Sequence, residues 1–539
     1  MSREKQTASK PHHILFHLKR LFVLVCVAGV AASSAITHAN AEEAPGDLGN
    51  ASVNAGCLGC HGTAGFEMPR ADGTSRPLYV TEDAFERSVH GHTHRCVDCH
   101  MAQASVPHDK VAKSAAEWRE QTLVINQNCA GCHESATRGY LDTHHGKLAA
   151  LGIADTATCS DCHGNHSIAR ASEPASRVSA ANVLGTCRAC HTDATAGFAS
   201  FQPHATRNNF ERYPYTYVTS KFLIALVAGA LGFFWFHSAL WFYREYRDRQ
   251  QAKPRPGVRV ESMPLGKGEH VQRWSGMWRL AHLAFAVTVI GLVVTGIPLL
   301  YPTTAWAPVL EQALGGARIA SGLHKAIGVA MLAIFVAHLV YVAVHLVRSW
   351  KGFKLFGPYS LLPTWQDARD FVAMFKWFFG RASRPVFDHW NYMQKVDYWA
   401  PFWGIFMLTL SGAMLWFKNL TGDYLPGWAF NVATMVHGEE ALLAAVYLFT
   451  IHYFSTHWRP DKFPLDLVMF TGTMPLDEFQ REYALEYRRM LEDGKLSSYL
   501  VEAPSRPMSL VSRITGFCLV AAGLVLLVLM ADGFIRNLA

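Results

Sequence analysis

Charged residues are scarce in this sequence, since Asp, Glu, Lys and Arg make up only 17% of its 539 residues. The net charge of +7 does not indicate nucleic-acid binding, because the basic residues cluster in loops between long apolar runs. Neither of the longer basic loops holds a glycine-rich nucleotide fingerprint, so we find no candidate NAD, flavin or ATP site. Cysteine is also rare outside one repeated pattern, which takes ten of the twelve.

That pattern is C-x-x-C-H, which occurs five times between residues 57 and 191. It is typical of covalent haem c attachment, because two cysteines bind the haem vinyl groups and the following His becomes the proximal iron ligand. Zinc sites would lack the regular trailing His, and disulfides would not place a His after every second Cys. We therefore expect five haem c groups. The motif residues are Cys57, Cys60, His61, Cys96, Cys99, His100, Cys129, Cys132, His133, Cys159, Cys162, His163, Cys187, Cys190 and His191.

Six-coordinate haems need a second axial ligand, and eight further histidines are available for that role. Met68 or Met101 in place of a His would raise the potential of that haem. The eight candidates are His90, His92, His94, His108, His144, His145, His166 and His204. Our predicted distal set is His90, His108, His145, His166 and His204.

The first 41 residues have the features of an export signal. Lys19 and Arg20 precede an apolar stretch, and Ala39-Asn40-Ala41 forms a small-x-small cleavage site. An uncleaved membrane anchor is the alternative. Residues 42–215 are then a periplasmic pentahaem domain. With about 170 residues for five haems, the macrocycles must form most of its core, so this domain should not fold without them.

Six apolar segments in the remaining region, residues 216–539, are long enough to span a bilayer. They are residues 217–242, 277–300, 321–347, 398–417, 432–454 and 510–535. Basic residues concentrate in the segments 244–276, 348–397 and 456–509, whereas the alternate loops carry only Arg318 and Lys418. The positive-inside rule places the basic segments in the cytoplasm and the haem domain outside.

Two features of the cytoplasmic segments are also predicted. The apolar stretch 371–379 is too short to span, so we expect an interfacial helix there, with a turn of cytoplasmic packing as the alternative. Residues 476–491 have helical character.

Histidines inside the predicted spans are candidate haem ligands. His437 and His452 are fifteen residues apart on the fifth span, about 22 Å along a helix, and face roughly the same way. His324 is level with His437, and His282 is level with His452. We predict an outer b haem held by His324 and His437 and an inner b haem held by His282 and His452, with His338 and His452 as the rival inner pair. His237 and His345 are more typical of core histidines.

Several local patterns resemble known cytochromes. Arg279-Leu-Ala-His282 followed by Thr295-Gly296 resembles the first haem helix of the bacterial di-haem cytochrome b family, which includes the membrane subunits of nickel-iron hydrogenases and formate dehydrogenases. The sequence around His324 resembles its second helix, and residues 436–452 resemble its fourth. The resemblance covers residues 270–460 and implies His282, rather than His338, as the inner ligand. Ser88-Val-His90-Gly91 is similar to multihaem c-type cytochromes.

The expected fold is therefore mainly α, with a haem-packed periplasmic multihaem cytochrome c domain and a six-helix transmembrane di-haem cytochrome b bundle. The whole chain is similar to fused c/b cytochromes that oxidise menaquinol in the bacterial inner membrane. The resemblance implies a quinone site near the inner haem, where His338 or His345 would accept a quinol proton.

The leading functional hypothesis is a quinol:cytochrome c oxidoreductase. It would pass electrons from menaquinol or ubiquinol through two haem b and five haem c groups to periplasmic cytochromes or reductases. The alternatives are the reverse flow from a periplasmic donor to quinone, a relay anchor for a larger partner enzyme, and catalysis on a small oxyanion at an open c haem. A homo-oligomer or a partner subunit is compatible with each of these.

Overall fold

The computed structural model describes residues 51–538 apart from 71, 104, 106–107, 109–113 and 252–269. The predicted export signal, residues 1–41, lies outside the described residues.

The N-terminal region is built from short helices joined by turns. Strands β1 (Glu67–Pro69) and β2 (Ser75–Pro77) form an antiparallel hairpin. Two single 3₁₀ turns lie at Met101–Gln103 and Asn128–Gly131. The helices are Ala51–His61, Glu82–Glu86, Cys96–Cys99, Ala115–Gln127, Glu134–Leu141, His144–Ala150, Cys159–His163, Val183–Arg188 and Ala196–Ala199.

The helices Cys96–Cys99 and Cys159–His163 of the second and fourth motifs are only four and five residues long. Their N-terminal caps explain why such short helices form. In the second and fourth motifs the residue before the second Cys is Asp, and this carboxylate accepts a hydrogen bond from the backbone N–H three residues earlier. Asp98 accepts from Arg95 N at 2.8 Å, and Asp161 accepts from Thr158 N at 2.7 Å. Such reciprocal caps satisfy backbone donors that a one-turn helix leaves free. Arg119 also holds Asp161, with Nη2 2.7 Å from Oδ2.

The described part of this region has few buried apolar side chains: Leu151, Ala194, Ala205 and Tyr213. The three apolar core clusters all lie in the C-terminal region instead. The described part of the N-terminal region thus has little apolar core of its own, and the haem-packed core expected there stays a prediction.

Six long apolar helices follow, and each is long and apolar enough to cross a membrane. This number matches the six predicted spans. The helices extend beyond the predicted apolar segments because their ends continue with polar residues. In order, we call them the first to the sixth span: Pro214–Gln250, Gly276–Leu300, Ala317–Ser349, Tyr392–Trp416, Trp428–Trp458 and Arg506–Asn537.

The fifth span is regular only as far as Val446. Its last part, Tyr447–His452 and Phe454–Trp458, is wound as π-helix. Such turns are rare and are frequent at functional sites. The fifth span packs against the first and the fourth, and the second packs against the third.

Further elements lie between and after the spans. Strand β3 (His270–Gln272) pairs antiparallel with β4 (Thr473–Pro475) on one side and β5 (Leu500–Val501) on the other. This small sheet was not predicted. A 3₁₀ turn lies at Leu496–Tyr499. The remaining helices are Trp306–Ala313, Trp365–Phe378, Lys418–Tyr424, Val468–Thr471, Leu476–Glu482 and Ala484–Glu492.

Two of these helices answer sequence predictions. The stretch 371–379 belongs to the helix Trp365–Phe378, whose face with Met374, Trp377 and Phe378 is buried in the same cluster as Tyr392. The apolar face expected at the membrane interface is thus used for packing within the protein. The helical character predicted for 476–491 is divided into two helices that meet at Tyr483.

Candidate functional site

Each of the five motif histidines faces one other histidine across a similar distance. The ring centres lie 5.9 to 6.1 Å apart in all five cases. The partners are the five residues of our predicted distal set. The pairs are His61 with His108, His100 with His166, His133 with His90, His163 with His204, and His191 with His145.

This spacing suits a metal ion between the rings. A metal–imidazole nitrogen bond of ~2 Å on each side, plus the distance from nitrogen to ring centre, separates the ring centres by ~6 Å. Six-coordinate haem iron requires this axial arrangement. The five pairs therefore fit the haem ligands that the sequence predicts, although their role as ligands stays a prediction.

The hydrogen bonds of the paired rings also suit ligation. His61 Nδ1 lies 3.0 Å from the carbonyl oxygen of Leu78, and His204 Nδ1 lies 2.9 Å from that of Ala136. A carbonyl only accepts, so each Nδ1 carries the proton and each Nε2 keeps its lone pair for a metal. Burial, followed by the charge of His191, lowers the pKa of His145 to about 4. This imidazole is thus neutral at pH 7, which is the form that binds metal.

The cysteines of the motifs are arranged along the region in chain order. Each motif has a Cys beside a Cys of the next motif, which is shown by the electrostatic interactions of the neighbouring thiols. The neighbouring pairs are Cys57 with Cys96, Cys99 with Cys129, Cys129 with Cys159, and Cys162 with Cys187.

Within the described residues, the ten motif cysteines form no disulfide. The same residues contain no group of three or more His, Cys, Asp or Glu side chains arranged to hold a metal ion.

In the membrane region, His324 of the third span faces His437 of the fifth with ring centres 6.1 Å apart. Each Nδ1 has a hydroxyl partner on a neighbouring span. Thr295 Oγ1 lies 2.8 Å from His324 Nδ1, and Ser411 Oγ lies 3.1 Å from His437 Nδ1. Both hydroxyls donate to a carbonyl one turn earlier in their own helix, so they accept from the ring N–H. Each Nε2 is again left for a metal.

A glycine follows each of these hydroxyl residues and allows the ring to approach. A Cβ at Gly296 would lie 3.4 Å from His324 Cε1, and one at Gly412 would lie 3.1 Å from His437 Cε1. The dipeptide Ser411-Gly412 thus repeats on the fourth span what Thr295-Gly296 does on the second. Our sequence analysis used Thr295-Gly296 but missed Ser411-Gly412, although the similarity of the two dipeptides was a usable signal.

The second membrane pair is His282 of the second span and His452 of the fifth, with ring centres 6.5 Å apart. The carboxylate of Asp397 orients His452, since its Oδ2 lies 3.3 Å from Nδ1. Tyr447 Oη and Ser455 Oγ also donate to this carboxylate, at 2.8 and 3.1 Å. Tyr447, His452 and Ser455, which contact this carboxylate, all come from the π-wound end of the fifth span. Asp397 was missed by our sequence analysis, because it directly precedes the predicted fourth apolar segment.

His338, the rival partner for His452, faces a different group. Its Nε2 lies 3.0 Å from Tyr398 Oη, and its ring packs edge-on against Trp278 and Phe402. His345, the other predicted proton acceptor, is exposed and stacks on Tyr341. The structure therefore brings His338, but not His345, into an aromatic site beside the inner pair.

His237 is fully buried in the first span. Its Nε2 lies 2.6 Å from Tyr392 Oη, and six aromatic rings, including that of Tyr392, surround it. This environment agrees with the core histidine that the sequence analysis expected.

The two regions meet at the outer ends of the spans. The helix Ala196–Ala199 packs on Lys418–Tyr424 so closely that a Cβ at Gly197 would clash with the backbone of Gly422. Arg207 forms an ion pair with Glu439 of the fifth span at 2.8 Å. Lys418 Nζ lies 3.2 Å from His191 Nδ1. The fifth motif is thus attached to the end of the membrane region that holds His324 and His437.

Comparison with known families identifies part of this architecture. Residues 198–354 match the family model described as prokaryotic cytochrome b561. The match includes the first three spans with His282 and His324, one histidine of each membrane pair, and ends before the fifth span. It does not include the five C-x-x-C-H motifs. No curated protein matches the chain significantly. The chain is therefore a mainly α, multi-pass membrane protein, and its residues 198–354 are similar to prokaryotic cytochrome b561.

Proposed function

We propose that the protein is a quinol:cytochrome c oxidoreductase of the bacterial inner membrane. The four membrane histidines hold two haem b groups, and the five C-x-x-C-H motifs with their facing histidines hold five haem c groups in the periplasm. Haem supplies one-electron redox chemistry when bound at these sites. The lipid quinone pool is the donor, and periplasmic cytochromes or reductases are the acceptors.

The observation that carries this proposal is the set of seven facing histidine pairs with ring centres 5.9 to 6.5 Å apart. His282 and His452 lie towards the basic, cytoplasmic ends of the spans, and His324 and His437 lie towards the outer ends. The fifth motif adjoins the outer pair through Lys418, and the motifs then continue in chain order to the first.

The facing histidines also favour electron relay over catalysis at an iron atom. A haem that binds a small oxyanion needs an open axial position. Each of the five motif histidines has a histidine opposite it, so no position is left open in this arrangement.

Quinol oxidation is assigned to the aromatic site around His338. The rings of Trp278, Tyr398 and Phe402 surround His338, and Tyr398 directly follows Asp397, the partner of His452. His338 Nε2 accepts a quinol proton directly or through Tyr398 Oη, to which it is hydrogen-bonded. The apolar rings provide a surface for a lipid quinone.

The first test is anaerobic mixing of the oxidised, purified protein with a menaquinol analogue, with the b and c bands followed separately. Reduction of b before c supports the proposal. Reduction of both by a periplasmic donor, but not by quinol, favours reverse flow or a relay subunit. A pyridine haemochrome ratio far from two b to five c would refute the haem assignment.

The proton acceptor has its own test in His338→Gln. Unchanged haem content with loss of quinol oxidation supports the assigned role, because Gln has no basic nitrogen. The matched control is His345→Gln on the same span, which should leave both quantities unchanged since His345 is exposed. Loss of a b haem from His338→Gln would instead make His338 a ligand.

A further inference from the structure

Three exposed aromatic side chains follow the third span closely in the chain. Trp350, Phe356 and Trp365 are 71%, 69% and 85% exposed, and the helix of the third span ends at Ser349. Exposed apolar side chains grouped in this way mark sites of interaction with a protein or a membrane. Trp is enriched where a membrane-spanning helix meets the headgroups of the bilayer. The position of Trp350 therefore favours the bilayer surface.

Basic side chains alternate with these rings. Four of them are exposed, and none of the four forms an ion pair with another described residue. They are Arg348, Lys351, Lys354 and Arg369. The one acidic residue between the first and the last of them is Asp367, which pairs instead with Lys395 at 2.8 Å. The segment 348–369 therefore carries a surplus of positive charge that an anion can offset.

The middle of this segment is held against the fourth span. Trp399 Nε1 donates to the carbonyl oxygen of Leu361 at 2.9 Å, and Lys395 Nζ donates to that of Leu362 at 3.2 Å. The ion pair of Lys395 with Asp367 holds the first turn of the next helix in the same place. The segment is thus fixed to the bundle on one side.

That next helix, Trp365–Phe378, has two different faces. Met374 is fully buried in the protein core. It follows Trp365 by nine residues, about 2.5 turns, so the two side chains lie on opposite sides of the helix. Arg369 and Val372 are exposed and lie four and seven residues after Trp365, on its side of the helix. The face opposite the core therefore presents an aromatic, a basic and an aliphatic side chain together.

We propose that residues 348–369 form a binding surface for the headgroups of anionic phospholipids, such as phosphatidylglycerol. The rings of Trp350, Phe356 and Trp365 pack at the level of the glycerol groups, and the four basic side chains contact the lipid phosphates. A bilayer is favoured over an acidic soluble protein, because Trp350 directly follows a membrane-spanning helix. Lipid binding at this surface needs only the third span in a membrane and does not depend on bound haem.

The test is native mass spectrometry of the purified, delipidated full-length protein, titrated with phosphatidylglycerol or with phosphatidylcholine, which has no net charge. A basic residue near an anionic bilayer surface strengthens binding about fivefold. The double substitution Lys351→Gln with Lys354→Gln should therefore weaken phosphatidylglycerol binding about 25-fold. Lys351→Arg with Lys354→Arg keeps both charges and should keep the affinity. Trp365→Ala should weaken the binding of both lipids.

The matched control is Arg212→Gln with Lys221→Gln, which removes two exposed basic side chains near the outer end of the first span. It should leave the affinity for phosphatidylglycerol unchanged. An equal loss in the two double Gln variants would overturn the proposal, since any basic side chain near the bilayer would then suffice. Equal affinities of the wild type and the Lys351→Gln, Lys354→Gln variant would also overturn it.

Three other outcomes count against the surface as a lipid site. Equal affinities for the two lipids would show that charge plays no part in binding. Displacement of phosphatidylglycerol by inorganic phosphate would show an ion site without a role for the rings. An acidic protein that stays bound to the wild type through purification, but not to the Lys351→Gln, Lys354→Gln variant, would assign the surface to a protein partner. Each of these three results would overturn the proposal.

Discussion

Asp397→Asn should raise the reduction potential of the inner haem b specifically. The carboxylate lies 3.3 Å from His452 Nδ1, and the imidazole with its metal bond adds ~4 Å, so the charge is roughly 7 Å from the iron. At an effective dielectric constant of about 20 this interaction amounts to roughly 2 kcal/mol. The substitution removes the charge but keeps one amide oxygen as an acceptor for Tyr447 or Ser455. The reduction equilibrium should therefore shift more than tenfold towards the ferrous state.

The assay is a redox titration with the two b haems resolved, and Asp493→Asn is the control. Asp493 is an exposed acid between the fifth and sixth spans, where it pairs with Lys495 at 3.0 Å. The outer haem should be unaffected in both variants, since His437 is oriented by Ser411 instead. An unchanged inner potential in Asp397→Asn, or an equal shift of both b haems, would refute the role of Asp397 as the orienting charge.

Three further predictions follow from the contacts. Ser411→Ala leaves the N–H of His437 unpaired, at a cost of about 1–3 kcal/mol. The affinity for the outer haem b should fall about 10- to 100-fold while the inner haem b is retained, which the haemochrome b content measures. His204→Ala removes the ring that faces His163 and should give one high-spin haem c, seen by electron paramagnetic resonance, out of five. Burial raises the pKa of Glu486, but hydrogen bonds and charge from His389 and Arg273 outweigh it, so the pKa is lowered overall. The ionised Glu486 side chain therefore stabilises the folded protein above pH ~4.3, the usual pKa of a free Glu, and this stabilisation is lost as the pH falls further. Glu486→Gln should thus lower the melting temperature at pH 7. A difference in melting temperature between the wild type and the variant that stays the same in acid would contradict this.

The six spans were predictable because each leaves a strong local pattern, and the C-x-x-C-H motifs are equally recognisable although haem binding there stays a prediction. An apolar run of bilayer length and a trailing His after every second Cys need no knowledge of tertiary contacts. The ends of the spans were less predictable, because the first helix continues through charged residues to Gln250, where water can solvate it. The sheet of β3, β4 and β5 was missed because strands of two or three residues show no periodicity.

The positions of the remaining site residues depend on tertiary contacts. The positions along the spans paired His282 with His452 but left His338 as a rival, and the resemblance to a family favoured His282. The structure places His282 opposite His452, which lies at the end of a π-wound segment of the fifth span. Asp397 and Ser411 act through rings on another helix, and no local pattern marks such a contact.

The distal histidines of the N-terminal region have a structural consequence as well as a chemical one. The partner of His133 is His90, which precedes the second motif, and the partner of His100 is His166, which follows the fourth. A metal between such rings joins segments that are far apart in the chain. Because the described part of this region buries few apolar side chains, the proposed haem groups and the links that they form would supply most of its cohesion. Neighbouring motifs are close in space, while the histidines that face them come from distant segments. Under the proposed function, loss of one facing histidine should therefore loosen two segments at once.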